Sequence, residues 1–238
     1  MRVGIAGCGL IGGSIAFALR QDHDVRAFDP AGTGDIAPVA QLEDLLDADV
    51  VIVATPQADI VPTLRTLARR PSDAVLMDVG SLKRDVAAFA GSAPAAARIV
   101  GGHPMAGTTG QGLVSARADL LAGRPFFLVP TARADERAMA VAGDLARATG
   151  AVPTVISAAE HDRIVATLSG LPLAVALALA RVGADVLGLA GPGFRDATRL
   201  ASTPPELAGA LLRGNAAEVR AALARFRLAL DEVERELG

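Results

Sequence analysis

Apolar and polar positions along this 238-residue chain follow two successive regimes. Up to about Ile156, short apolar runs alternate with stretches of helical period. Arg2 to Ala6, Val25 to Phe28, Asp49 to Ala54, Ala74 to Met77 and Arg98 to Val100 read as strands. Most are apolar at consecutive positions, as in strands of a parallel sheet buried on both faces. Helices are predicted between them, one ending near Arg20, one near Arg69, and one leading through Pro94. Phe126 to Val129 and Val152 to Ile156 follow as strands around a helix from Ala134 to Thr149.

Beyond Ile156 the period becomes helical throughout. Ser157-Ala-Ala-Glu160 reads as a capping box, which satisfies free N–H groups at a helix start. Ile164, Leu168, Leu171, Val175, Leu179, Val182 and Val186 then form a predicted apolar stripe, with Pro172 expected to kink the helix. Thr203-Pro-Pro-Glu206 reads as a second capping box, with proline at the first helical position. Asn215 opens a last helix with the stripe Val219, Leu223, Phe226, Leu230, Val233 and Leu237. The expected fold class is α/β: a Rossmann-type, doubly wound, mostly parallel sheet over 1–156, then a smaller all-helical domain over 157–238. About 80 helical residues with such seams would be marginal alone. Packing on the first domain and on a second subunit is the expected remedy.

Composition narrows the function classes. The net charge is −3 with no basic block, which argues against nucleic acid or an anionic membrane surface as partner. A single cysteine, Cys8, cannot form an internal disulfide, so a reducing, cytoplasmic setting is expected. No signal peptide is read at Met1, and no metal site is expected. Ile164 to Ala180 is uncharged and mostly apolar, at the lower limit of length for a bilayer. Ser169, Gly170 and Pro172, with Arg163 and Arg181 at its ends, favour a core or interface helix. Lys83 is the sole lysine among many arginines, a hint that a compact ammonium is wanted there.

The first strand runs into Gly7-Cys-Gly9-Leu-Ile-Gly12-Gly-Ser14, a G-x-G-x-x-G pattern between strand and helix. Gly7 makes the turn, Gly9 admits a pyrophosphate, and Gly12 lets helix pack on strand. Leu10 and Ile11 open the helix, whose N-terminus favours phosphate. Asp29 ends the second strand, where an acid accepts hydrogen bonds from ribose hydroxyls and repels a 2′-phosphate. No arginine follows it, so NAD is expected over NADP. Thr55, Pro56 and Ser81 also lie at carboxyl ends of strands, where open parallel sheets bind ligands. The glycine-rich stretch Ile99 to Gly112 carries His103 as a predicted loop residue and candidate general base.

Five segments together resemble the prephenate/arogenate dehydrogenase family of tyrosine biosynthesis. They are Gly7-Cys-Gly-Leu-Ile-Gly-Gly-Ser14, Asp78-Val-Gly-Ser-Leu-Lys83, Gly101-Gly-His-Pro-Met-Ala-Gly107, Glu160-His-Asp162 with Val165-Ala166, and Gly193-Phe-Arg-Asp-Ala-Thr-Arg199. The resemblance implies oxidation of a cyclohexadienyl dicarboxylate by NAD with loss of CO₂. It implies that His103 takes the ring hydroxyl proton and that Ser81 orients the hydroxyl or the base. Arg195 and Arg199 would pair a substrate carboxylate, Thr109 would line the substrate pocket, and the helical domain would form a homodimer. The chain departs from the family at Ser169-Gly-Leu-Pro-Leu173, where relatives commonly read Ser-His-Leu-Pro-His, and at Thr109, where an acid is frequent. Arogenate or an amino-substituted prephenate therefore stands beside prephenate as substrate. His161 is expected to be a surface or interdomain hydrogen-bonder, and Lys83 to bond ligand or loop carbonyls.

Two other classes were weighed. A hydroxyacid or imine oxidoreductase would want a lysine base in the helical region, and no lysine follows Lys83; a short-chain dehydrogenase would need a tyrosine, and there is none. An NAD-sensing regulatory protein would fit loss of the two histidines, but not retention of Ser81, His103 and Arg195.

Overall fold

The structure, a computed structural model, describes residues 1–108 and 110–238. Thr109, an expected substrate contact, lies outside the described residues. The chain divides into two compact units, Met1–His161 and Asp162–Gly238.

The first unit is one sheet in the order β3-β2-β1-β4-β5-β6-β7-β8. Its strands are β1 (Arg2–Ala6), β2 (Asp24–Phe28), β3 (Ala37–Pro38), β4 (Val50–Val53), β5 (Val75–Asp78), β6 (Arg98–Pro104), β7 (Pro125–Pro130) and β8 (Val152–Val155). Every pairing is parallel except β6 with β7. Helices α1 (Leu10–Leu19), α2 (Gln57–Ala68), α3 (Arg84–Ser92) and α4 (Glu136–Ala148) cover it. Successive strand residues point to opposite faces, and the core divides accordingly. Val3, Ile5, Val50, Ile52, Val75 and Met77 join Ile15 and Leu19 of α1 and Leu145 of α4. Val51, Val53, Leu76 and Ile99 join Ile60, Leu64 and Leu67 of α2 and Val86 of α3. This explains the unbroken apolar runs of the inner strands: both faces are roofed. Each fully buried leucine there contributes about 1.5–3 kcal/mol relative to exposure.

Strand β6 runs four residues further than expected, through His103 to Pro104. His103 is therefore a strand residue, paired across the antiparallel step with Phe127. Gly101 and Gly102 serve this stretch by being small. A Cβ at Gly102 would stand 2.6 Å from the Asp78 carbonyl oxygen, and one at Gly101 would stand 2.9 Å from Lys83 Cδ.

The second unit is helical. One continuous helix begins in the first unit as α5 (Ala158–Val165), passes a π turn at Ala166–Gly170, and continues as α6 (Leu171–Val182). Then come α7 (Pro192–Thr198), α8 (Pro205–Gly214) and α9 (Ala216–Glu236). The stripe expected on the long helix is not the buried one. Leu168, Val182 and Val186 are exposed, while Val165, Ala166, Leu173 and Ala176 are buried. A π turn inserts an extra residue and rotates every later side chain to a new face, which period counting alone does not reveal. This interruption comes just before Pro172, where a missing N–H and a bulky ring break the regular ladder.

One expected cap also differs. The Ser157 hydroxyl accepts from the Glu160 amide at 3.2 Å, one half of the expected capping box. At α8, however, Pro204 holds the cap position and no side chain caps it. Asn215 opens α9 as expected, without a side-chain cap bond; its Nδ2 donates to the Asp162 carbonyl at 2.6 Å, tying the two ends of the helical unit. By length and hydropathy, Ala158–Val182 could cross a membrane, the one helix among the described residues of which this is true.

Candidate active site

The carboxyl ends of β1, β2, β4, β5 and β6 lie along one edge of the sheet, since these strands are mutually parallel. At that edge Gly7 turns with φ +99°, and a Cβ would meet the Ala54 carbonyl oxygen at 2.7 Å and the Thr55 nitrogen at 2.9 Å. Only glycine combines that dihedral with that approach. A Cβ at Gly12 would fall 2.0 Å from the Gly7 carbonyl oxygen, so α1 can begin this close to the strand only without a side chain. Gly9 has open space where its Cβ would be, and α1 starts with no side-chain cap. Its first amides are thus available to an anion.

Asp29 clasps the loop from β2. Its Oδ2 accepts from the Cys8 amide at 2.6 Å and its Oδ1 from the Ala31 amide at 2.7 Å. Each oxygen keeps a lone pair for a further donor, such as a ribose hydroxyl. Burial first and the Asp29 charge second push the Cys8 thiol up to about 11, which leaves it unreactive. Among the described residues Thr55 Oγ1 is buried without a hydrogen-bond partner, a state that structures rarely leave without a ligand, ion or water to answer it. The open helix start, the anchored acid and this orphan hydroxyl all suit a dinucleotide.

Ser81 follows β5. Its amide and that of Leu82 donate to Gln57 Oε1 at 2.9 and 3.3 Å, which fixes the serine loop against the start of α2. Gln57 escaped the sequence reading, although it adjoins Thr55-Pro56. Lys83 lies beneath this loop, fully buried and ion-paired with the fully buried Asp78. Asp78 Oδ2 also accepts from the Gly80 amide at 3.0 Å. Burial pushes the Asp78 carboxyl above its usual range, opposed by Lys83 and by the Gly80 and Gly102 amides. The lone lysine thus pairs a buried carboxylate.

His103 is buried, and its Nδ1 lies 2.9 Å from Nε2 of His161. The rings meet edge-on, with centroids 5.1 Å apart, and Phe127 stands edge-on to His161 on another side. His161 is fully buried, which corrects its expected surface position. Among the described residues His103 Nε2 has no hydrogen-bond partner. Desolvation chiefly, then the Lys83 charge, then His161 hold the His103 pKa well below 6.5. The imidazole is therefore neutral near pH 7 with one nitrogen unengaged, the state a general base needs. Arg195 and Arg199 belong to the helical unit. Both are exposed, and Arg195 Nε donates to the Ala190 carbonyl at 3.1 Å.

A glycine turn on a parallel sheet edge, an acid closing it, and a helix start facing it define a Rossmann-type nucleotide-binding domain. The chain belongs to the prephenate dehydrogenase family. Residues 20–155 match the model described as "Prephenate dehydrogenase, nucleotide-binding domain", and residues 157–238 match "Prephenate dehydrogenase, dimerization domain". It is 31% identical to a prephenate dehydrogenase of Bacillus subtilis over 85% of this chain. That match spans 61% of the Bacillus protein, about three fifths of its length. Among solved structures, the Synechocystis arogenate dehydrogenase has a TM-score of 0.84 at 30% identity, covering 100% of this chain and 92% of that one. A prephenate dehydrogenase from A. aeolicus, solved with hydroxyphenyl propionate and NAD+, has a TM-score of 0.88 at 26% identity, covering 100% and 90%.

Proposed function

We propose that the protein is an NAD-dependent dehydrogenase that oxidatively decarboxylates prephenate to 4-hydroxyphenylpyruvate, with His103 as base. The observation that carries this is the neutral, buried imidazole with a free Nε2, on the sheet edge that also holds the glycine turn and Asp29. The cofactor domain would span 1–156 and the substrate and dimerisation domain 157–238. Gly7, Gly9, Leu10, Ile11 and Gly12 would cradle the pyrophosphate, Asp29 the adenosine ribose, and Thr55, Pro56 and Ser81 the nicotinamide half.

Bound NAD supplies the hydride acceptor. His103 Nε2 takes the proton of the ring hydroxyl as hydride leaves the same carbon. The bond to the ring carboxylate then breaks, its electron pair enters the ring, and the phenol oxygen takes the proton back. Ser81 orients the hydroxyl. Arg195 and Arg199 offer guanidinium groups to a carboxylate, a pairing for which a planar fork is suited. The protein would act as a cytoplasmic homodimer through the helical domain. The apolar length of Ala158–Val182 is read as interface because it falls within the matched dimerization domain.

Arogenate as substrate is a second reading, favoured by position 170. A Cβ there would lie 2.8 Å from Val219 Cγ2, so α9 occupies the room a family histidine would need. One spectrophotometric assay, NADH formation with prephenate and with arogenate in competition, decides between them. His103→Ala should lower kcat by about 10²–10⁴-fold while NAD still binds. Tight NAD binding with no turnover of either compound would sink the assignment.

A further inference from the structure

We infer that His161 is a positioning residue: it accepts a hydrogen bond from His103 Nδ1–H and so fixes the tautomer whose basic nitrogen is Nε2. The inference rests on the proposed base role of His103 and deepens it. Coordinates give a distance between two ring nitrogens and do not say which carries the hydrogen. One hydrogen lies across Nδ1···Nε2 at 2.9 Å, so the donor is either His161 or His103. If His161 donates, His103 must carry its own proton on Nε2, and its outward nitrogen is a donor that cannot act as a base. If His103 donates, its Nε2 holds a lone pair, and His161 must carry its own hydrogen on Nδ1. The partner of one ring nitrogen decides the state of the other.

The surroundings suit an imidazole acceptor here. Among the described residues, the groups that bear on the charge of His103 include Lys83 and its partner Asp78, from β5 and the loop after it, and His161 from α5; β7 contributes Phe127. Asp78 is committed to Lys83 and to the Gly80 amide. A carboxylate on Nδ1 would raise the basicity of His103 and hold a proton there at neutral pH. A neutral imidazole acceptor aligns the ring without doing so, and the nearby ammonium works in the same direction. Burial of His161, with Phe127 edge-on at 5.6 Å, leaves the orienting ring little freedom to turn.

The spectroscopic test needs one variant. The chain has three histidines, His23, His103 and His161, so His→Gln replacement at His23 leaves only the ring-nitrogen resonances of His103 and His161 in the ¹⁵N-labelled whole protein. His103 should show a protonated Nδ1 and a bare Nε2, and His161 a bare Nε2; the opposite pattern overturns the inference. His161→Leu removes the acceptor and should lower kcat by roughly 10–10²-fold with little change in KM, the usual cost of losing a ring-orienting partner. His161→Gln keeps a carbonyl acceptor near the same point and should restore most of that loss. Equal activity in the two variants, or a change confined to KM, assigns His161 a structural role only and overturns positioning. Undiminished turnover in His103→Ala would instead defeat the base assignment, whatever tautomer the spectra report.

Discussion

The same apolar residue types behave differently in the two units. In the sheet unit Ile52, Leu64 and Leu67 are wholly enclosed, as are Ile5 and Ile99. In the helical unit Leu168, Val182, Leu189 and Leu237 stand largely in the open, and Leu230 and Val233 are about half exposed. The sheet closes its own core because helices of the same chain cover both faces. The helical unit presents apolar faces that its own residues do not cover, as a dimerization domain would. An apolar stripe therefore tells which face seeks cover and says nothing of which chain supplies it.

The largest effect on stability should come from the buried ion pair. Lys83→Met leaves Asp78 uncompensated in the sheet unit and should cost about 3–5 kcal/mol, read as a fall in the urea midpoint with unchanged slope. A matched pair of truncations measures the contrast itself. Leu64→Ala should cost about 2–5 kcal/mol, whereas Leu230→Ala should stay within about 0.5 kcal/mol when measured on the monomer. If Leu230→Ala were as costly as Leu64→Ala in the isolated chain, the two units would not differ as described. Conversely, Leu230→Glu should shift sedimentation toward monomer while leaving NAD binding to the sheet unit intact; a species unchanged in mass would count against dimerisation through α9.

A further effect concerns pH. Burial holds His103 neutral in the folded state below 6.5, where the unfolded chain's imidazole takes up a proton. The unfolded state then binds more protons, so stability falls as pH drops below about 6.5. This group contributes a slope of at most about 1.4 kcal/mol per unit. Unfolding midpoints from about pH 7 to about pH 5 should decline less steeply in His103→Gln; parallel declines would mean that the histidine is not buried neutral.

Much of the site was legible in sequence because it is local. Gly7, Gly12 and Asp29 belong to one βαβ unit whose spacing is local; the two glycines stand where a side chain would clash, and Asp29 holds the glycine loop through the Cys8 amide. His161 was misjudged because it is 58 residues from His103, and only the fold brings its ring to that strand. Gln57 was passed over for the same reason, since the Ser81 loop it holds lies 24 residues away; Asp78 stands five residues from Lys83, and only their joint burial shows the pair. The long helix failed differently: counting by threes and fours assumes one unbroken period, and the π turn at 166–170 breaks it.

By itself the sequence determined what hydrophobic alternation and glycine sterics can enforce within a few residues: the order of strands and helices, and the shape of the nucleotide turn. Tertiary structure decided which distant groups meet in the interior. There, removal from water makes a lysine need a carboxylate and an imidazole need a hydrogen-bond partner, and it sets the charge of both.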